Sequence, residues 1–346
     1  MTERLRDFRP AHDEPAVAEL WERCFGRTVG GQTPEWMFRS GAAGPCPRSV
    51  AVVDDRIVAH AGVTALRFQL AGEEVSGGYS VGAMTDPDFR GRGLFARLGA
   101  HLYDRLEREG FAFVAGFSNA QSHRLMVGPL GRTALEPFPW CIRILRPAGL
   151  LRGLLQKSDT PIAPPEIPAM SRGELSLASC AVDDDRVDAL WDRVAPSVRV
   201  GAVRNSRFYA SRFATRPEAG YRALGVERDQ QMVAFAVHRT LTIRGQKATF
   251  LLDVLVAPDA LEAGRWLLQT LARAARGQGA ALLSALLPGE GQARKALRRT
   301  GFLRIPEALQ PQAIHLSVRG LGPYANSPLL PDLGAWLLSW ADTDVV

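Results

Sequence analysis

Lysine is nearly absent from this sequence. Among 42 basic residues in 346, only Lys157, Lys247 and Lys295 are lysines; the others are arginines interleaved with 36 acidic residues. The chain has no block of about five or six like charges, which marks a basic arm or stripe. The formal charge of +6 therefore gives no basis for nucleic-acid binding, and none is expected. Cysteine is equally sparse. Cys24, Cys46, Cys141 and Cys180 are widely spaced and form no CxxC pair, which excludes a zinc ribbon or a dithiol redox motif. Four free thiols in a reducing compartment are expected, and with them a cytoplasmic location. No apolar stretch reaches the roughly 18 residues of a membrane span. Met1-Thr2-Glu3-Arg4-Leu5 lacks the apolar segment of a secretory signal. Hydrophobic residues at 46% and charged residues at 23% exclude global disorder.

What is present is a plan used twice. Leu20-Trp21-Glu22-Arg23 is echoed by Leu190-Trp191-Asp192-Arg193, and Arg56-Ile57-Val58-Ala59-His60 by Gln231-Met232-Val233-Ala234-Phe235. Val81 to Asp88 matches Leu252 to Asp259, and Leu130-Gly131-Arg132 matches Thr300-Gly301-Phe302. Four matches in one order at a nearly constant offset argue for internal duplication. Two similar domains also suit the length, at ~100–200 residues per domain. Pro161, Pro164, Pro165 and Pro168 fall between the copies. They remove backbone donors and bias their predecessors away from helix, which predicts an extended linker.

In the first copy, helix is expected from Pro15 to Cys24. Strands are expected over Val50–Val53, Ile57–Leu70 and Glu74–Thr85, with turns at Asp54-Asp55 and Ala71-Gly72. Such short turns make antiparallel neighbours. Leu94, Leu98, Leu102 and Leu106 recur every four residues, the stripe of an amphipathic helix running to Glu109 and stopped by Gly110. A strand follows over Phe111–Phe117. The fold class is α+β (mixed α/β), a mostly antiparallel mixed sheet with flanking helices, twice over.

The most informative segment is Thr85-Asp86-Pro87-Asp88-Phe89-Arg90-Gly91-Arg92-Gly93-Leu94-Phe95, which leaves a strand and opens the leucine helix. Unpaired N–H groups and a positive dipole at a helix start accept an anion. Gly91 and Gly93 let the backbone approach a phosphate closely, and Arg90 and Arg92 add charge. The GxxxxGK[ST] loop is absent, and the glycines do not follow the first strand of a βαβ unit as a dinucleotide fingerprint requires. The chemistry indicated is pyrophosphate binding.

This segment resembles the acetyl-CoA motif of GCN5-related N-acetyltransferases (GNAT), [QR]xxGx[GA], with Arg90 in the first position and Gly93 as the central glycine. Phe95 stands where a small residue is usual. Gly116-Phe117-Ser118-Asn119 and Leu130-Gly131 are similar to the family's later segment. In the second copy Arg90, Gly91 and Arg92 map to Leu261, Glu262 and Ala263, and only Gly264 retains the glycine. The resemblance thus implies two GNAT-like domains, the second degenerate. The expected boundaries are 1–146 for an acyl-CoA-binding domain, 147–174 for the Pro-rich linker, 175–320 for the degenerate domain and 321–346 for a C-terminal helix and acidic tail.

The resemblance further implies direct acyl transfer from acetyl-CoA or another acyl-CoA to an amine. The pantetheine arm would lie between the strand ending at Thr85 and the strand from Phe111. Ala83, Thr85, Arg90, Gly91, Arg92, Gly93, Leu94, Phe95 and Asn119 would contact the cofactor, Asn119 having helix capping as its alternative. A backbone N–H near Met84 would polarise the thioester carbonyl. Many family members carry a general-acid Tyr four residues before the glycine matching Gly131; that position is Val127 here. His123, His60 and Asp86 are the substitute acid–base candidates, each with a structural role as its alternative. Leu333, Trp336, Leu337 and Trp340 suggest an apolar helical stripe. It is followed by Asp342 and Asp344, which could close over a cationic acceptor or form a solvated tail.

Three functions stay open: an N-acyltransferase acting on a small molecule, amino sugar or peptide amine; a non-catalytic acyl-CoA-binding module; and a transferase using acyl carrier protein or aminoacyl-tRNA. No membrane insertion and no metal are expected, and a monomer or homodimer fits a duplicated chain.

Overall fold

Asp54 and Asp55 both adopt left-handed backbone (φ 45° and 63°) in the computed structural model, as a two-residue hairpin turn between twisted strands requires. The structure describes residues 3–26, 37–38, 43–135, 140–147, 166–243, 245–286, 289–306, 310 and 314–343. The chain forms two units. The first is Met1–Phe68, Glu73–Pro137 and Gln312–Asp332; the second is Gln69–Gly72, Phe138–Pro311 and Leu333–Val346.

In the first unit β1 (Glu3–Asp7) leads into α1 (Pro10–Phe25) and then β2 (Arg48–Val53). The Asp54-Asp55 turn connects β2 to β3 (Arg56–Leu70), and Ala71-Gly72, again left-handed, connects β3 to β4 (Glu73–Thr85). Helix α2 (Leu94–Arg108) comes next, then β5 (Phe113–Ser118), α3 (Ala120–Val127) and β6 (Thr133–Ala134). The leucine stripe of α2 is buried as its spacing predicts. Leu94 and Leu98 pack with Ala51, Val53, Val58 and Ala59, and Leu102 and Leu106 with Val63, Ala65 and Val114. Each such side chain contributes on the order of 1.5–3 kcal/mol.

The second unit repeats the plan: β7 (Trp140–Ile144), β8 (Met170–Arg172), β9 (Leu175–Cys180), α4 (Arg186–Val194), β10 (Val200–Ala202), α5 (Ser206–Tyr209), β11 (Arg222–Arg228), β12 (Gln231–Ile243), β13 (Gln246–Val256), α6 (Leu261–Gly277), β14 (Leu282–Leu286), α7 (Gln292–Arg299) and β15 (Leu303–Arg304). Every internal echo falls on equivalent elements. The Leu-Trp pairs lie in α1 and α4, and the strand echoes lie in β3 and β12 and at the ends of β4 and β13. Gly131 and Gly301 are both left-handed (φ 59° and 84°).

The last strands do not stay with their own copies. β5 lies parallel to β4, and its other edge is filled by β16 (His315–Gly320), antiparallel, which also pairs with β6. In the second unit β14 lies parallel to β13, and its other edge is filled by β7, which also pairs with β15. By the duplication β7 ends the first copy and β16 ends the second, so the two copies exchange their last strands. The expected boundaries at 146 and 320 differ from this arrangement: β7 belongs to the second unit and 312–332 to the first. Local periodicity carries no information about which of two equivalent sheets a strand joins. Of the expected linker, 148–165 lie outside the described residues and 170–172 form β8.

The expected C-terminal helix is corrected. Residues 321–343 contain 3₁₀ turns at Gly322–Tyr324, Leu333–Ala335 and Trp340–Asp342 and the short strand β17 (Trp336–Leu337), parallel to β10. Pro323, Pro328 and Pro331 interrupt the segment ahead of the stripe, and Gly334 falls inside it.

Candidate active site

The parallel ladder of β4 and β5 holds only three pairs: Gly77 with Phe113, Gly78 with Val114 and Tyr79 with Ala115. β4 runs on to Thr85 and β5 to Ser118 without further pairing to each other. The strands part there, and among the described residues no other strand is inserted between them. Gly82, at φ 61°, bends β4 along that stretch.

At the outer end of β4 the glycine loop turns into α2. Pro87–Phe89 makes a 3₁₀ turn capped by Asp86, and Gly91 and Gly93 are left-handed (φ 77° and 70°) with open space around them. Gly93 caps α2 without a side chain. The first intrahelical bond is from the Arg97 N–H to the Gly93 carbonyl. The N–H groups of Leu94 and Phe95 therefore point out of the helix start. Leu94's side chain is buried, while Phe95 is half-buried at the core's edge. Arg90 and Arg92 are exposed; Arg90 Nε donates to the Thr85 carbonyl at 3.2 Å and Arg92 to the Asp88 carbonyl at 3.1 Å. Two tethered guanidiniums over a glycine-lined helix start form a cradle for a polyphosphate. In the second unit the equivalent α6 starts at Leu261, and Glu262 in its first turn is paired with Arg265. An acidic side chain stands where an anion would bind.

The structure separates the acid–base candidates. His60 is buried, with Nδ1 2.8 Å from the Gly82 carbonyl and Nε2 accepting from Arg48 Nε at 3.0 Å. Burial, reinforced by the Arg48 charge, lowers its pKa to about 3. The base assignment for His60 is corrected: a neutral imidazole with both nitrogens committed shapes β4 and accepts no proton from an acceptor.

Asp86 is also corrected. Its buried carboxylate accepts from Arg23 Nε at 3.0 Å, from Arg56 at 2.6 Å and from the Asp88 N–H. Burial alone would raise its pKa, but the Asp88 N–H and the two guanidiniums hold it below the usual value. In the second unit the position equivalent to Asp86 is Ala257, and Arg193, the counterpart of Arg23, pairs instead with Asp259, the counterpart of Asp88.

Met84 sends its side chain into the apolar cluster of Val17, Leu20, Val50, Val52 and Ile57, so only its backbone faces the question of chemistry. Ala83 and Thr85 flank it on β4. Asn119 Oδ1 accepts from the N–H groups of Gln121 and Ser122 at 3.1 and 3.0 Å; that oxygen caps the start of α3. His123 lies on α3 one turn before Val127, half-buried, with Nδ1 3.4 Å from Ser118 Oγ. Its ring stacks on His315 of β16 at 4.6 Å. Burial and the neighbouring His315 lower its pKa. The sequence reading missed His315, because nothing local announces that β16 joins the first sheet.

Trp340 and Asp342, expected as acceptor contacts, are held in structural contacts. Both are buried in the second unit, where Asp342 Oδ2 accepts from Arg204 at 2.5 Å and from the Ser339 N–H at 2.8 Å. Asp344 lies outside the described residues. Among the described residues no group of His, Cys, Asp or Glu is arranged to hold a metal, and no helix is long and apolar enough to cross a membrane.

A cleft between splayed parallel strands, with an anion cradle at the adjoining helix start, defines an acyltransferase-type fold. Residues 6–123 match a family model described as an acetyltransferase (GNAT) domain. That match lies within the first unit, and acyl transfer is the general chemistry of the class the model describes. Three solved structures share the fold. A probable N-acyltransferase from Enterococcus faecalis V583 is 10% identical with a TM-score of 0.60, covering 93% of this chain and 73% of that one. A GCN5-related N-acetyltransferase from Kribbella flavida is 16% identical with a TM-score of 0.60, covering 92% and 71%. Saccharomyces cerevisiae N-myristoyltransferase with bound myristoyl-CoA is 11% identical with a TM-score of 0.54, covering 91% and 82%. No curated protein matches the sequence.

Proposed function

We propose that the first unit transfers an acyl group, acetyl or another, from coenzyme A directly to a primary amine of a small molecule, amino sugar or peptide. The observation that carries this reading is the joint placement of the cradle at Arg90–Gly93 and the cleft that opens beyond Tyr79 and Ala115. The pyrophosphate takes the N–H groups at the α2 start and the charges of Arg90 and Arg92. The pantetheine arm follows the β4 edge past Thr85 and Ala83, bringing the thioester carbonyl to the backbone bent at Gly82. A backbone N–H near Met84 stabilises the developing oxyanion. The amine nitrogen attacks the carbonyl carbon and loses a proton, the C–S bond breaks, and coenzyme A leaves as its thiolate, which takes up a proton to become the free thiol. His123 is the one of the three titratable candidates left able to take that proton. Two neighbours in the fold, a probable N-acyltransferase and a myristoyl-CoA complex, carry names that agree with this chemistry.

The test is calorimetric titration of the intact chain with acetyl-CoA. One site per chain is expected, lost in Gly93→Glu and kept in Glu262→Gln. Two equal sites would overturn the assignment of the second unit as non-binding, and no binding would overturn the reading itself. Free thiol released from acetyl-CoA with a panel of primary amines then separates enzyme from module; silence across the panel favours a non-catalytic acyl-CoA-binding module.

A further inference from the structure

A buried cation with no counterion among the described residues sits where the β4–β5 cleft begins. Arg132, between Gly131 and β6, is 3% exposed. Its Nε donates to the Tyr103 hydroxyl at 2.6 Å, one terminal nitrogen donates to Ser80 Oγ, and the other has no partner. Ser80 and Gly116 are the next positions on β4 and β5 after the last ladder pair. A Cβ on Gly116 would lie 2.7 Å from the unpartnered nitrogen and 3.3 Å from Ser80 Cβ. The absent side chain of Gly116 is what admits the guanidinium. A second cation, Arg319, also lies over the Tyr103 ring and donates to the Leu130 carbonyl, so it adds positive charge. Burial lowers the pKa of Arg132, Tyr103 opposes that, and Arg319 adds to it.

The second unit shows what the fold needs at this place. The ladder register equates Ser80, Gly116 and Arg132 with Leu251, Ala285 and Phe302, all buried and apolar. There Leu251 and Ala285 form one more ladder pair. Packing is thus satisfied by an aromatic ring. A guanidinium in its place costs desolvation that a neutral pair of hydroxyls recovers only in part. An arriving anion would satisfy the unpartnered nitrogen and supply the missing charge.

We propose that Arg132 receives a carboxylate at the far end of the acyl group, so that the preferred donor is the coenzyme A half-thioester of a short dicarboxylic acid. This rests on the acyl-transfer reading above: a donor held at the cradle and laid along β4 presents its acyl end, and no other part, to the start of the cleft.

The experiment compares calorimetric titrations of the full chain with coenzyme A, acetyl-CoA, butyryl-CoA, succinyl-CoA and glutaryl-CoA, with thiol release measured for the thioesters. Succinyl-CoA or glutaryl-CoA is expected to bind at least tenfold more tightly than butyryl-CoA. Arg132→Met is expected to erase that preference while coenzyme A itself binds as before. Gly116→Ala, which keeps the charge but displaces the guanidinium, is expected to reduce it. Unchanged coenzyme A affinity in both variants also establishes that they fold. Tight coenzyme A binding with no dicarboxylate preference, or a preference that survives Arg132→Met, overturns this proposal and leaves acyl transfer standing. No coenzyme A binding by the unsubstituted chain overturns both.

Discussion

His60 Nδ1 lies 2.8 Å from the carbonyl oxygen of Gly82, the residue whose left-handed conformation bends β4 along the cleft. The contact links a fully buried side chain on β3 to the backbone expected to meet the thioester. Arg48 closes the other side of the ring and is itself paired with Glu14 at 2.8 Å and stacked on Phe8. His60→Leu would leave the Gly82 carbonyl and Arg48 Nε buried without partners, a loss of about 1–3 kcal/mol for each. The expected outcome is a lower melting temperature together with weaker acetyl-CoA binding. A variant that melts normally and binds normally would show that the bend needs no anchor.

A pH profile separates His123 from His60. Burial and the nearby His315 lower the His123 pKa below its usual value of 6.5. The imidazole is therefore neutral, and able to accept a proton, to a pH lower than an exposed histidine would be. The acid limb of kcat/KM is expected below pH 6.5. His123→Gln is expected to abolish that limb and to lower kcat by the 10²–10⁴-fold typical of a lost general base. His315→Leu removes a neighbouring ring that opposes protonation, and is expected to move the limb to higher pH. The limb of the amine's own titration follows the acceptor used, so two acceptors of different basicity identify it. A limb unchanged in both variants would remove His123 from the mechanism.

The strand exchange predicts how the chain can be cut. A fragment ending near residue 146, the boundary the duplication suggests, lacks β16 and leaves the outer edge of β5 unpaired through six residues, from Phe113 to Ser118. It also carries β7, whose pairing partners β14 and β15 lie in the other unit. Such a fragment is expected to aggregate or to show poor amide protection in β5, since open strand edges pair with other chains. Appending residues 312–332 through a flexible linker to a fragment ending at 135 is expected to restore protection. Equal hydrogen-exchange protection of β5 with and without the appended segment would show that the exchanged strand is dispensable.

Much of this was legible in the sequence because it is local. Leu94, Leu98, Leu102 and Leu106 announce their helix, the paired aspartates announce a left-handed turn, and Gly91 and Gly93 announce the cradle. The unreadable parts depend on contacts far apart in the chain. His60 and Asp86 are polar residues at plausible catalytic positions, and only the arrival of Arg48, Arg23 and Arg56 shows them to be committed. Arg132 carries no motif beyond its neighbour Gly131; its meaning comes from Ser80, Gly116 and the equivalent Phe302. The tail misled for a related reason. Its apolar spacing suits a helix, but Gly334 and the pull of Arg204 fold it otherwise.

Arg204 is the centre of that pull. It is fully buried, 2.9 Å from Asp253 and 2.5 Å from Asp342. Tyr209 donates to Asp253 at 3.1 Å, and Asp342 closes a capping box with Ser339. Burial pushes the Asp253 pKa up, Arg204 opposes this, and Asp342 adds to it. Two carboxylates around one guanidinium tie Trp340–Asp342 to β13, and Arg212 adds a bond to the Ala341 carbonyl at 2.6 Å. Removing one partner of a buried ionic group typically costs about 3–5 kcal/mol because the remaining charges stay buried. Asp342→Ala is therefore expected to destabilise the second unit by an amount of that order, read by denaturant unfolding. Acetyl-CoA affinity below the unfolding midpoint is expected to stay unchanged, because Asp342 belongs to the unit without the cradle. If Asp342 instead held a cationic acceptor, the substitution would raise KM for the amine in a folded protein of near-normal stability. A variant with that pattern would return Asp342 to the list of substrate-binding residues.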